Sequence, residues 1–327
     1  MTIDLKGVED AGERLAGVSV VTPLVTSPEL DELASGRVLV KAESLQRTGS
    51  FKIRGAYNMM SRLDAAQAAR GVVAWSSGNH AQGVAAAGSL LGIRTAIVMP
   101  EDAPRVKLEN TRRLGGELIL YDRFSGDREA IAREVAAERG AELVPSYDHP
   151  DIIAGQGTVG LEIMRQCAET GLSPDQVLVP CSGGGLVAGS ALAIKGIESR
   201  TAVHSVEPEG LDDTARSLRA GNRVTNAPAA RSMCDALQAP TPGNLTFALN
   251  RELLAEGLVV SESEVAAAMR FAFLNLKLVA EPGGAVALAA VLAGKIETKD
   301  RVTIVVLSGG NVDAELFCRI QAGSHAA

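Results

Sequence analysis

The sequence predicts an α/β fold: two open, twisted, mostly parallel sheet domains with flanking helices. Three observations predict it. Short β-branched runs alternate with Ala- and Arg-rich stretches of helical spacing, the rhythm of parallel βαβ units. Three polar loops rich in Ser and Gly each follow such a run and precede a helical stretch, the position of ligand loops beyond the carboxyl ends of parallel strands. The chain has 327 residues, 46% of them hydrophobic, enough for two lobes with a sizeable core.

Residues 1–36 read as a helix, a turn at Pro23 and a second short helix. Residues 38–41 form the first strand. Residues 44–56 follow, with Lys52 behind a Gly49-Ser50-Phe51 turn and ahead of a helix over about 55–62. Strands are then expected at 72–75, 95–99, 117–121 and 142–145, with a helix over 127–139; Pro100 and Pro104 punctuate the loop after the second of these strands. The rhythm breaks at 147–151, which reads as a crossing between lobes. A helix over 157–169 leads into strands at 177–180, 202–206 and 302–307. Ser261 and Glu264 make a capping box that opens a long helix ending near Val279. Residues 239–243 form a Pro-rich loop, and the tail at 323–327 is expected to fray. The division expected is a large domain from 1–70 with 149–327, and a small mobile α/β domain from 71–148. The site lies in the cleft between them.

Composition narrows the function. A net charge of -7 and a pI near 5.3 argue against nucleic-acid or anionic-membrane partners. Aromatics at 3% leave few stacking platforms for single strands. Cys167, Cys181, Cys234 and Cys318 form no CxxC pair and read as reduced, buried thiols. No basic region followed by an apolar run opens the chain, so no signal peptide is expected. No apolar run approaches the ~20 residues of a membrane span. The expected setting is the cytoplasm.

Four segments carry chemistry. In Ser182-Gly183-Gly184-Gly185, successive N–H groups can close on an anion, and the helix from Leu186 adds its positive end. This is a phosphate cradle without the Gly-Lys-Ser/Thr ending of a nucleotide loop. Ser76-Ser77-Gly78-Asn79-His80 caps a helix, and its hydroxyls and N–H groups suit a substrate carboxylate while Asn79 touches a cofactor. Ser308-Gly309-Gly310-Asn311 repeats the design after the last strand. Lys52 sits between Phe51 and Ile53 near a helix start; desolvation and the helix end both lower an amine's pKa. Together they fit one phosphate-bearing aldehyde cofactor anchored covalently on Lys52.

These motifs, with Gly49-Ser50-Phe51-Lys52-Ile53-Arg54-Gly55 first, follow an order that resembles pyridoxal-phosphate enzymes of the tryptophan-synthase-β type (fold type II). Within that group the chain looks like the branch of threonine/serine dehydratases and serine racemases, over nearly its whole length. The resemblance implies pyridoxal 5'-phosphate held as a Schiff base on Lys52, which also removes the substrate α-proton. It implies that Phe51 packs beside the cofactor, Asn79 bonds its 3-hydroxyl, Ser182 to Gly185 and Leu186 hold its phosphate, and Ser308 faces the ring nitrogen. Ser182 stands where many relatives have a fourth glycine. A serine cannot keep that nitrogen protonated as a carboxylate would, so loss of the β-hydroxyl is favoured over a free carbanion.

The implied activity is β-elimination of a 3-hydroxy amino acid of the L-threonine/L-serine type, or 3-hydroxyaspartate, to a 2-oxo acid and ammonia. The alternative is a serine or aspartate racemase with dehydratase side activity; Ser77, opposite the lysine in racemases, is compatible with both. Ser76, Ser77, Asn79 and His80 would hold the substrate. Arg128 would pair with a second carboxylate or lie on a helix surface. Glu281 precedes a helix start and would sit near the cofactor. Glu207, Leu211 and Asp213 resemble that branch's site for Mg2+ or Ca2+. A homodimer is implied, without a C-terminal regulatory domain. A non-catalytic phosphate sensor is the competing class; it has no need of Lys52.

Overall fold

In the computed structural model, which describes residues 3–103, 105–122 and 126–323, the strands sort into two sheets. In chain order they are β1 (Leu24–Thr26), β2 (Arg37–Ala42), β3 (Val72–Trp75), β4 (Thr95–Pro100), β5 (Gly116–Tyr121), β6 (Glu142–Leu143), β7 (Gln176–Pro180), β8 (Ala202–Pro208), β9 (Glu256–Val260) and β10 (Val302–Leu307). The larger sheet runs β1-β2-β10-β7-β8-β9 and the smaller β5-β4-β3-β6. Every pairing of these strands is parallel except β1 with β2. The α/β class with two mostly parallel sheets is therefore as the sequence predicts.

Side-chain alternation explains the layers. Val38, Val40, Val305 and Leu307 enter one core, while Leu39, Ile304 and Val306 enter the core on the opposite face. In the smaller sheet Val72, Ala74, Ile97 and Met99 face one core, and Val73, Ala96 and Val98 the other. Strands covered on both faces read as continuous apolar runs, which is why they were legible.

Several elements differ from expectation. The helix carrying Lys52 runs Lys52–Met60, so the lysine itself is its first residue. The helix expected from Gly157 begins at Pro150 and runs to Glu169, with His149 as its cap. Gly157, where the helix was expected to begin, lies inside it at a close approach: a Cβ there would lie 2.7 Å from the Gly189 carbonyl oxygen of the neighbouring helix. The capped helix at Ser261 is α-helical over Glu262–Phe271. It then widens into a π turn, Ala272–Leu276, and stops where Lys277 takes φ 59°. Strands β1 and β9 lie at the sheet edges and are too short or too glycine-interrupted to alternate clearly. Cys318 is exposed; Cys167, Cys181 and Cys234 are buried. Pro104 and the tail from Ser324, with His325, lie outside the described residues.

Two features position the lysine. First, β2, β10 and β7 are adjacent, and the loops at the carboxyl ends of β2 and β10 meet. Phe51 N–H donates to the Ser308 carbonyl (3.2 Å), and Gly310 N–H to that of Gly49 (2.9 Å). Second, Arg54, two residues into the lysine's helix and fully buried, is held from both sides. It donates twice to Glu43 (both 2.8 Å) and twice to Glu162 (2.7 and 2.9 Å). Lys41 completes the network at 2.7 Å from Glu162. Two cations balance two carboxylates, so charges that burial would otherwise penalise are paired.

Candidate active site

One cleft of about 2070 Å³ runs between the two sheets. Phe51, Lys52, Ser76, Ser77, Asn79, His80, Arg128, Ser182, Gly183, Gly184, Gly185, Leu186, Glu281 and Ser308 all line it. Glu207, Leu211 and Asp213 do not.

Lys52 Nζ donates to the Ser146 carbonyl (3.0 Å) and lies 5.2 Å from the centre of the Phe51 ring. Burial pushes its pKa down to about 8, against the opposing charge of Glu281. A fraction of the amine is then neutral at physiological pH, as a nucleophile or base requires. His80 Nε2 lies 2.8 Å from the Val144 carbonyl. Burial, with Lys52 nearby, takes its pKa down to about 3, so it remains neutral throughout the working range.

Asn79 opens the helix Asn79–Leu91, and Gly78 caps it without a side-chain bond. The first-turn N–H groups are therefore open to an anion. Asn79 Nδ2 donates to Glu281 Oε1 (2.6 Å), and Asn311 Nδ2 donates to Asn79 Oδ1 and to the Thr48 carbonyl (both 2.8 Å). Asn311 ties three loops together, a role its motif alone did not reveal. Burial raises the Glu281 pKa to about 8, helped by Asp235, so this carboxyl holds a proton near neutrality.

The glycine loop follows β7. Gly184 caps the helix Gly185–Ile197 at φ 95° and again offers no side-chain bond to its first turn. That positive φ, with Asn250 Nδ2 only 2.7 Å from where a Cβ would be, admits only glycine. Gly183 lies against the Tyr147 ring, 2.4 Å from a would-be Cβ. Asp148 fastens the helix Asn244–Leu253, accepting from the N–H groups of Asn244 and Leu245 (both 2.9 Å). Ser182 Oγ accepts from Ala239 N–H (3.0 Å). The sequence marked 147–151 only as a crossing; Tyr147 and Asp148 also brace the anion loop. Ser308 is buried at the end of β10. Arg128 is exposed at the start of its helix, Arg128–Arg139.

The acidic loop lies apart. Glu207 accepts from the N–H groups of Thr214 (3.0 Å) and Ala215 (2.7 Å). Asp213 accepts from Asn226 Nδ2 (2.5 Å) through one oxygen, and its other oxygen is buried without a partner. Burial raises Glu207 to about 8, with Asp213 adding to it, and burial raises Asp213 to about 6. Two crowded carboxylates with an unpartnered oxygen fit a divalent cation. Among the described residues no three His, Cys, Asp or Glu side chains converge on one point.

Comparison with known proteins follows the same lines. A family model described as pyridoxal-phosphate dependent enzyme matches residues 17–309. The L-threo-3-hydroxyaspartate ammonia-lyase of Pseudomonas sp is 42% identical over 314 residues, covering 96% of this chain and 97% of that protein. A serine racemase of Schizosaccharomyces pombe is 37% identical over 310 residues, covering 95% and 94%. Among solved structures, maize serine racemase superposes with a TM-score of 0.91 at 36% identity, covering 99% of this chain and 100% of that one.

Proposed function

This chain belongs to the pyridoxal-phosphate dependent enzymes, and we propose that it eliminates the β-hydroxyl and amine of a small 3-hydroxy amino acid, giving a 2-oxo acid and ammonia. The observation that carries the reading is the buried Lys52 amine, lowered to about 8, in one cleft with the glycine loop and Ser308. The residues present fit the cofactor: an amine for its aldehyde, and a loop at Gly184 that a Cβ would fill.

Pyridoxal phosphate, when bound, supplies an electron sink beside the amino acid's α-carbon. The chain's own groups do the rest. The N–H groups at Gly185 and Leu186 would hold the phosphate. Ser76, Ser77 and the first turn of the Asn79 helix would hold the substrate carboxylate. Lys52, once free, would take the α-proton at Nζ as the β-hydroxyl departs. Ser308, which lines the same cleft, would offer the cofactor ring a hydroxyl rather than a carboxylate. Water released by elimination is balanced by water consumed when ammonia leaves. Residues 71–148 would move against the remainder to admit the substrate.

The fold carries no helix long and apolar enough to cross a membrane, among the described residues. Four free cysteines support a cytoplasmic setting. A homodimer is supported by an exposed apolar surface: Val20, Val21, Leu45, Leu274 and Val279 are each 43–64% exposed. Gln46 bonds Val20 through both N–H and carbonyl, and a Cβ on Gly310 would touch both Val279 and Ser44, so these segments adjoin.

The test is an assay of the purified holoenzyme with L-threonine, L-serine and threo-3-hydroxyaspartate, following 2-oxo acid and D-isomer together. More 2-oxo acid than D-isomer is the expected result. An excess of D-isomer would make the chain a racemase, and neither product from any substrate would overturn the reading.

A further inference from the structure

The helix Arg105–Arg113 follows β4 at the cleft mouth, and Lys107 in its first turn reaches across. Its ammonium meets Asp235 of the opposite wall at 2.6 Å, although 128 residues separate them. Both residues line the cleft. The Lys107 side chain is 22% exposed and that of Asp235 51%. The pair stands at the Glu281 end: Ala236 and Leu237, next to Asp235, pack on Gly283, two residues beyond Glu281. Glu281 in turn takes the Asn79 hydrogen bond at 2.6 Å.

An ion pair this exposed adds little to stability. Its place matters more. An amino acid with its α-carbon at Lys52 and its α-carboxylate at the Asn79 helix can turn its side chain toward this pair, away from the glycine loop packed on the Tyr147 ring. A methyl group gains nothing from an ammonium there. A carboxylate gains a charge-assisted hydrogen bond.

Resting on the reading of the cleft as a hydroxy-amino-acid site, we propose that Lys107 is the specificity residue that binds the distal carboxylate of a dicarboxylic substrate, exchanging Asp235 for it. Asp235 is a placeholder: it keeps the ammonium paired while the cleft is empty, and being half exposed it is rehydrated when displaced. Arg128 lines the cleft from a different element, at the start of the helix Arg128–Arg139. The two cations are therefore separable by mutation.

The experiment uses the holoenzyme and its Lys107→Met, Asp235→Asn and Arg128→Ala variants. The kcat/KM ratio for threo-3-hydroxyaspartate over threonine is measured in each. Lys107→Met lowers the ratio roughly 10- to 100-fold, the range of a hydrogen bond to a charged group. Asp235→Asn raises it about two- to fivefold, as expected for releasing an exposed pair. An unchanged ratio in Lys107→Met, or a loss confined to Arg128→Ala, overturns the proposal. Titration of the cofactor's visible absorption with L-aspartate and L-2-aminobutyrate needs no turnover. There, Lys107→Met weakens aspartate relative to aminobutyrate by a similar factor, and equal weakening overturns the assignment. If no hydroxy amino acid is turned over, the proposed function fails while this titration still decides Lys107.

Discussion

Lys52 is governed by two opposed effects, burial lowering its pKa and Glu281 raising it, and burial wins. The amine must be neutral to capture an aldehyde. Covalent capture of pyridoxal phosphate by the apoprotein, trapped with borohydride, should therefore rise with pH around a midpoint near 8 rather than the ordinary 10.5. Glu281, itself raised to about 8, gains its charge over the same pH range, so Glu281→Gln should move the midpoint only slightly lower; a move upward would show that the charge does not act on Lys52. Arg54 behaves differently. It never touches the cleft, yet Arg54→Met would leave Glu43 buried without its bonded cation and Glu162 with Lys41 alone. A loss of about 3–5 kcal/mol in urea unfolding is expected. Lys52 was legible because its motif is local and its neighbours are apolar. Arg54 was not, because its meaning depends on Glu162, 108 residues away.

Elements were legible where the hydrophobic period was uninterrupted, as in β4, β7 and β10. They were misread where glycine serves packing rather than turning. The helix Pro150–Glu169, expected only from Gly157, contains Gly155, Gly157 and Gly160; each lets a neighbouring backbone approach too closely for a Cβ. The loop between β8 and the helix Asp213–Ala220 shows the converse. Its acidic character was plain in the sequence, but the orientation of Glu207 toward the N–H groups of Thr214 and Ala215 was not. Here two carboxylates repel in a buried setting, and a divalent cation would relieve them. Mg2+ or Ca2+ added to EDTA-treated protein should raise Tm, and Asp213→Asn should remove most of that rise. A Tm that ignores both cations would leave the loop a helix cap and nothing more.

At the scale of the molecule, two mostly parallel sheets with flanking helices followed from strand–helix alternation, since each parallel strand announces itself and its loop falls at the carboxyl end. Contacts that join distant segments did not follow, and the exposed apolar surface is one of these. Its residues come from three parts of the chain: Val20 and Val21, Leu45, and Leu274 with Val279. No one of these segments looks unusual, since single exposed apolar side chains are ordinary. Their adjacency is what needs a partner, and a self-complementary patch on a homodimer supplies one by a two-fold axis. Sedimentation velocity on the holoenzyme should therefore report a mass near twice 33.9 kDa. The double variant Val21→Glu with Leu45→Glu places like charges across the axis and should shift the protein to monomer, with its circular dichroism retained. A wild-type chain that sediments as a monomer across the micromolar range would leave that surface without a second copy to cover it. A loss of folded signal in the variant would instead be separated from dissociation by repeating the measurement with Val279→Lys, on a different segment of the same patch.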